Sequence, residues 1–193
     1  FLESPTYAAL TAKLRNEQGL RILAAAPTQP RILFSKKPVA SLADLNGVKM
    51  RVPEIKTYLT LWETLGTRPS RLAWGEIYLG LKTGVVEAAE GPISSAYAAK
   101  FHEAATNVIR TDHLMSSAHI TMNEKAYAAL APDLQKLVTD CAADAVQNTR
   151  RTAQQETEDV VRKMAAEGAK VTAIGRAPIQ HRAKEGVAKM EKD

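Results

Sequence analysis

Arg51 is the residue best placed to do chemistry. It belongs to the run Val48–Lys49–Met50–Arg51–Val52, in which apolar and charged residues alternate, and Pro53 follows directly. Alternation of this kind predicts a strand, and a proline just after it suits the first position of a helix. An arginine at the carboxyl end of a strand is well suited to hold a carboxylate. Its planar fork matches the two oxygens, and the start of a helix adds partial positive charge. Crevices at strand ends are also where open α/β sheets take their ligands. The plain alternative for Arg51 is a surface ion pair.

Few other residues suggest reaction chemistry. Asp112, His113, Ser116 and Ser117 are close in sequence, but adjacency is not the geometry of a nucleophile, base and orienting acid. His113 reads instead as a polar loop or junction residue. The histidines at 102, 113, 119 and 181 lack the i, i+4 pairing of a helical metal site. Glycine-rich phosphate loops, G-x-S-x-G and H-E-x-x-H are all missing from the sequence, so it predicts no cofactor, no metal and no catalysis. Cys141, the single cysteine, forms no internal disulfide and is expected to be a small buried hydrophobe among Leu137, Val138, Ala142 and Ala145. The chain has 193 residues and a net charge of +5. Its basic residues are scattered rather than gathered into a stripe, and aromatics make up only 5%. Both features argue against a nucleic-acid partner. No apolar run reaches the roughly 20 residues of a membrane span.

The elements that must position Arg51 follow from periodicity and breakers. Leu2, Tyr7, Leu10 and Leu14 predict a helix over Phe1 to Glu17, ended by Gly19. Short strands are expected over Leu20–Ala25, Ile32–Phe34, Val48–Val52, Val85–Ala89, Asn107–Ile109 and Ala118–Met122. Helices are expected from Pro53 to Leu65, Gly75 to Thr83, Ile93 to Phe101 and, capped by Asn123, through Leu130. Alternating strands and helices of this kind predict an α/β sheet. From Asp133 to Glu167 no proline or glycine interrupts the chain, which is apolar at each end and polar in the middle. One helix of about 35 residues would be roughly 50 Å long, the pattern of a helix bridging two lobes. Two helices meeting near Asn148 are the alternative.

Several stretches resemble the solute-binding proteins of TRAP transporters, the DctP family. They are G-V-K-M-R-V-P, L-G-T-R-P-S, W-G-E-I-Y-L-G-L-K-T-G-V-V-E, P-I-S-S-A-Y-A-A-K-F-H-E and the long late helix. The resemblance implies a two-lobed fold of the type II periplasmic-binding-protein class and a periplasmic location. It implies capture of a small organic acid and delivery to the membrane subunits of a TRAP permease, with the full-length protein a monomer. Arg51 matches the arginine that binds the ligand carboxylate, Arg31 the family's second arginine, and Trp74 the aromatic residue that packs on the ligand. Tyr97 falls among the same ligand-contacting positions. Gly91 stands where many members carry asparagine. It cannot supply an amide and is expected to open space beside Trp74 for a bulkier or aromatic acid.

The resemblance also implies an organisation in which the second lobe is nearly complete and the first is not. Residues 1–28 would be a remnant of the first lobe, and 29–116 the second lobe. A first-lobe strand and the bridging helix would occupy 117–156, a return to the second lobe 157–184, and a C-terminal helix or tail 185–193. An enzyme or a ligand-sensing module on the same fold is the competing reading. An enzyme would need a paired acid and base, and a sensor would need a signalling segment.

Overall fold

A computed structural model describes residues 1–190. In chain order the elements begin with α1 (Pro5–Gln18), β1 (Leu20–Ser35), β2 (Lys49–Val52), α2 (Lys56–Thr64), β3 (Arg68–Arg71) and α3 (Ile77–Thr83). Next come β4 (Ala88–Pro92), α4 (Ile93–Ala98), α5 (Phe101–Ala104) and β5 (Asn107–Asn123). The last are α6 (Glu124–Ala128), α7 (Pro132–Ala166), β6 (Lys170–Ala173) and α8 (Arg176–Met190). Residues 1–28 and 116–155 form one compact unit; residues 29–115 and the chain from 156 onward form the other. The divisions fall inside β1, β5 and α7. No boundary falls near residue 185, because α8 runs through it.

In the first unit Ser4 caps α1 by accepting from the Tyr7 N–H, and Gly19 ends it in the left-handed region at φ 63°. The Arg21 guanidinium donates twice to the Glu124 carboxylate, at 2.7 Å each, and lies 4.0 Å from the Tyr127 ring centre. Apolar burial is sparse: among the described residues only Ala26 and Ala142 are buried hydrophobics there. Cys141 is exposed, contrary to expectation, as are Leu134 and Leu137. The apolar stripe of the first half of α7 therefore exists but is only partly covered, at Ala142 and, half-buried, at Val138 and Val146.

The second unit is built on the sheet, whose strand order is β3-β2-β4-β1-β5-β6. β2 runs parallel to β3 and β4, while β1 runs antiparallel to β4. Successive strand residues alternate between two cores. Ile32, Phe34, Ala89 and Val108 join Ile77, Leu81, Ile93, Phe101 and Met164 on one face. Leu33, Met50, Val52, Ala88 and Ile109 join Trp62, Leu65 and Ile179 on the other. Both faces are thus covered, which is why Ile32–Phe34 and Val108–Ile109 read as short continuous apolar runs within their strands.

Some boundaries differ from expectation for identifiable reasons. β1 is one strand through Pro27 and Pro30, and β5 is one strand from Asn107 to Asn123. The helix expected from Ile93 to Phe101 breaks at Lys100, which sits at φ 61°. Pro53 does not open α2; the helix begins at Lys56, with Ile55 at its N-cap. α7 is a single helix. Among the described residues, no helix is long and apolar enough to cross a membrane.

Candidate functional site

Arg31 and Arg51 spring from opposite faces of the sheet, at the end where β2 and β4 finish, close enough for their charges to act on one another. Arg51 lies between the core residues Met50 and Val52 and therefore points away from them, toward the core of Phe101. Arg31 stands two residues before Leu33 and shares its face. The parallel pairing of β2 with β4 aligns Arg51 with Ala89, and the antiparallel pairing of β1 with β4 aligns Ile32 with Gly91. Both registers converge on Glu90–Gly91–Pro92.

On the first face, Arg51 keeps only 4% of its surface exposed. Its Nε and Nη2 donate to the Leu72 carbonyl at 2.9 and 2.8 Å. That carbonyl is neutral, and no carboxylate of the described residues pairs with Arg51. Desolvation lowers its pKa below the usual arginine value, with the negative charge of Glu90 acting in the opposite sense and that of Arg31 reinforcing it. Trp74 stands two residues after Leu72, at the start of a 3₁₀ turn (Trp74–Glu76). The Glu76 carboxylate closes that turn by accepting from the Ala73 N–H at 3.0 Å. The indole centre is 5.8 Å from the Arg51 guanidinium carbon and 4.9 Å from the Phe101 ring centre.

Gly91 is buried beneath this indole. A Cβ there would lie 3.0 Å from Trp74 Cη2 and 3.3 Å from Cζ3. The glycine therefore does not leave open space beside Trp74, as its sequence context suggested; the tryptophan itself fills it.

On the second face, Arg31 grips Glu90 through two hydrogen bonds, Nε to Oε2 at 2.5 Å and Nη2 to Oε1 at 2.7 Å. Glu90 is fully buried. Burial alone would raise its pKa, but the hydrogen bonds from Arg31 and His113 outweigh that and hold it below the usual carboxylate range. His113 Nε2 lies 3.2 Å from Glu90 Oε2, and Nδ1 lies 2.7 Å from Thr111 Oγ1. In a neutral ring, Nε2–H donates to the carboxylate and Nδ1 accepts from the hydroxyl. The ring packs edge-on to Trp62 at 5.1 Å, and Tyr58 lies under the Arg31 guanidinium at the same distance. His113 is thus a strand residue with a fully buried side chain rather than a loop residue.

The structure brings Arg51, Trp74 and Gly91 together and links Arg31 to them through Glu90. It does not place Tyr97 with them. The Tyr97 hydroxyl donates to Glu167 Oε1 at 2.6 Å, and its ring stacks on His102. Ile93 and Ala96 take the core-facing positions of α4, leaving Tyr97 turned toward α5 and the end of α7.

Sequence reasoning missed Glu90, His113 and Thr111. Glu90 carried a signal: it directly follows Ala88–Ala89 in a predicted strand, and an acid buried there is rarely without a cationic partner. His113 and Thr111 are two apart on one strand, but nothing local pairs them with a residue more than 20 positions away.

The fold recurs in known proteins. A solute-binding protein of Roseobacter denitrificans is 36% identical over 121 residues, which cover 63% of this chain and 37% of that protein. The crystal structure of a TRAP periplasmic solute-binding protein from the same organism, with bound L-galactonate, superposes with a TM-score of 0.84 at 28% identity. It is matched over 96% of this chain and 62% of its own length. A TRAP periplasmic protein from a Bradyrhizobium, in complex with α/β-D-galacturonate, gives 0.84 at 29% identity, over 100% of this chain and 64% of its own. The chain spans half or less of the length of the curated relatives it matches. These relatives are solute-binding proteins, not enzymes. Residues 1–193 match the family of bacterial extracellular solute-binding proteins, family 7, throughout, and the chain belongs to that DctP family.

Proposed function

We propose that this chain is part of a periplasmic protein that grips a small organic acid by its carboxylate, through Arg51 and Arg31, and delivers it to a TRAP membrane permease. The observation that carries this is a charge imbalance. Arg31 is neutralised by Glu90, whereas Arg51 is nearly buried against a neutral carbonyl. An uncompensated buried cation is costly, and one anionic group beside it removes the cost. Geometry supports the same reading. Both arginines are held by their Nε/Nη2 edges, so each keeps its Nη1/Nη2 edge for a two-oxygen acceptor. In this reading the unit containing residues 29–115 is the family's second lobe, and the other unit is part of the first.

The test is calorimetry with a panel of organic acids, on a protein of its relatives' full length that carries this chain. Arg51→Lys is expected to weaken acid binding by about 2–5 kcal/mol, because an ammonium cannot supply the fork. A change of less than about 0.3 kcal/mol, well under one hydrogen bond, would remove Arg51 from the site.

A further inference from the structure

Gly91 has no backbone need for glycine. Its φ is not in the left-handed region, unlike that of Gly19, Gly47, Gly66, Gly84 and Gly168. What is special about the position is steric. A Cβ would press on Trp74 at 3.0 and 3.3 Å and touch the Ala96 Cβ at 3.6 Å. Residue 91 has therefore given up its side chain, and the edge of the indole lies in that space. The ring is fixed by Phe101 and by the capped turn behind it, yet Trp74 as a whole is 38% exposed. The indole centre is 5.8 Å from the Arg51 guanidinium carbon, so a group held at Arg51 has the indole beside it, where a polar side chain at 91 could have donated a hydrogen bond.

We propose that Gly91 is a specificity-determining residue: by admitting the Trp74 indole beside Arg51, it selects acids whose carboxylate is borne on a ring over open-chain polyhydroxy acids. This deepens the carboxylate reading and rests on it. A pyranose ring offers a face of C–H groups to the indole, and an aryl ring offers a π face. An open-chain polyol acid would place hydroxyl groups against a surface that cannot hydrogen-bond them. The shared chemistry is a carboxylate attached directly to a six-membered ring, available from hexuronates and from aryl carboxylates.

The test uses a protein of full relative length carrying this chain, with D-galacturonate and benzoate against L-galactonate and D-gluconate, measured by calorimetry. At least one ring acid is expected to bind about tenfold tighter than either open-chain acid, and which ring acid wins names the source. Gly91→Asn is expected to cut that ratio at least about fivefold, with Gly91→Ala intermediate, as the indole is pushed off its seat. Trp74→Leu should cut it as well, so the question stays answerable if Gly91→Asn fails to fold. A wild-type preference for open-chain acids, or a ratio unmoved by Gly91→Ala and Trp74→Leu while Arg51→Lys still abolishes binding, overturns this inference alone. Absence of binding to every acid, or full affinity in Arg51→Lys, overturns the carboxylate reading and this inference with it.

Discussion

Glu90 carries more of the site's electrostatics than its place in the sequence suggests. It accepts two hydrogen bonds from Arg31 and one from His113, with no surface exposed. These partners hold its folded pKa below the unfolded value of about 4.3. The sign follows directly. A depressed carboxyl contributes stability that is present above the unfolded pKa and lost as pH falls through the folded one. Acidification below about pH 4 should therefore destabilise the second unit, because protonated Glu90 leaves Arg31 buried without its counter-charge. Glu90→Gln should cost about 3 kcal/mol at neutral pH, and the variant should lose less stability than wild type between about pH 5 and 2. Urea unfolding across that range measures both quantities. Parallel pH profiles for the two proteins would show that Glu90 is not the group titrating.

Among the elements, those legible in the sequence were set by local pattern. β2 announces itself by strict alternation, and α7 by a long stretch with no breaker and apolar ends. Asn123 was readable as a cap, and its Oδ1 accepts from the Ala126 N–H at 3.1 Å. What escaped was set by distant partners. β1 passes through Pro27 and Pro30, α2 waits until Lys56 despite Pro53, and Cys141 sits on the uncovered part of its apolar stripe. The same distinction divides the site. Arg51 was visible from its strand, whereas the Glu90–His113 pair exists only because β4 and β5 belong to one sheet.

The continuity of α7 can be tested at its polar centre. Thr157, Val160 and Met164 anchor its later turns among buried residues, while its earlier half belongs to the other unit. Helices of this kind are held by packing rather than propensity. Ala153→Pro should cost about 3 kcal/mol by removing an i→i−4 bond and clashing with the preceding turn. In hydrogen exchange, amides just after residue 148 should lose protection while those of β2 and β4 keep theirs. A cost below about 1 kcal/mol would mean the helix is already broken there in solution.

For the whole molecule, the distribution of burial matters more than the total. The second unit has two cores and carries Arg31, Arg51 and Trp74. The first unit exposes Phe1, Leu10, Leu134 and Leu137. The solved structures it resembles are matched over 62% to 64% of their length, so these 193 residues lack the equivalent of over a third of those chains. An arginine site that gains strength from excluding water needs surface on every side of the ligand. The 193 residues alone are therefore expected to bind organic acids at about millimolar strength or weaker, no more than about 4 kcal/mol. These exposed apolar side chains should also make the chain self-associate. Calorimetry at fixed protein concentration, with sedimentation velocity over a concentration series, tests both. Micromolar binding by a monomeric 193-residue chain would mean that the second unit seals its ligand unaided, and that the lobe assignment proposed above is wrong.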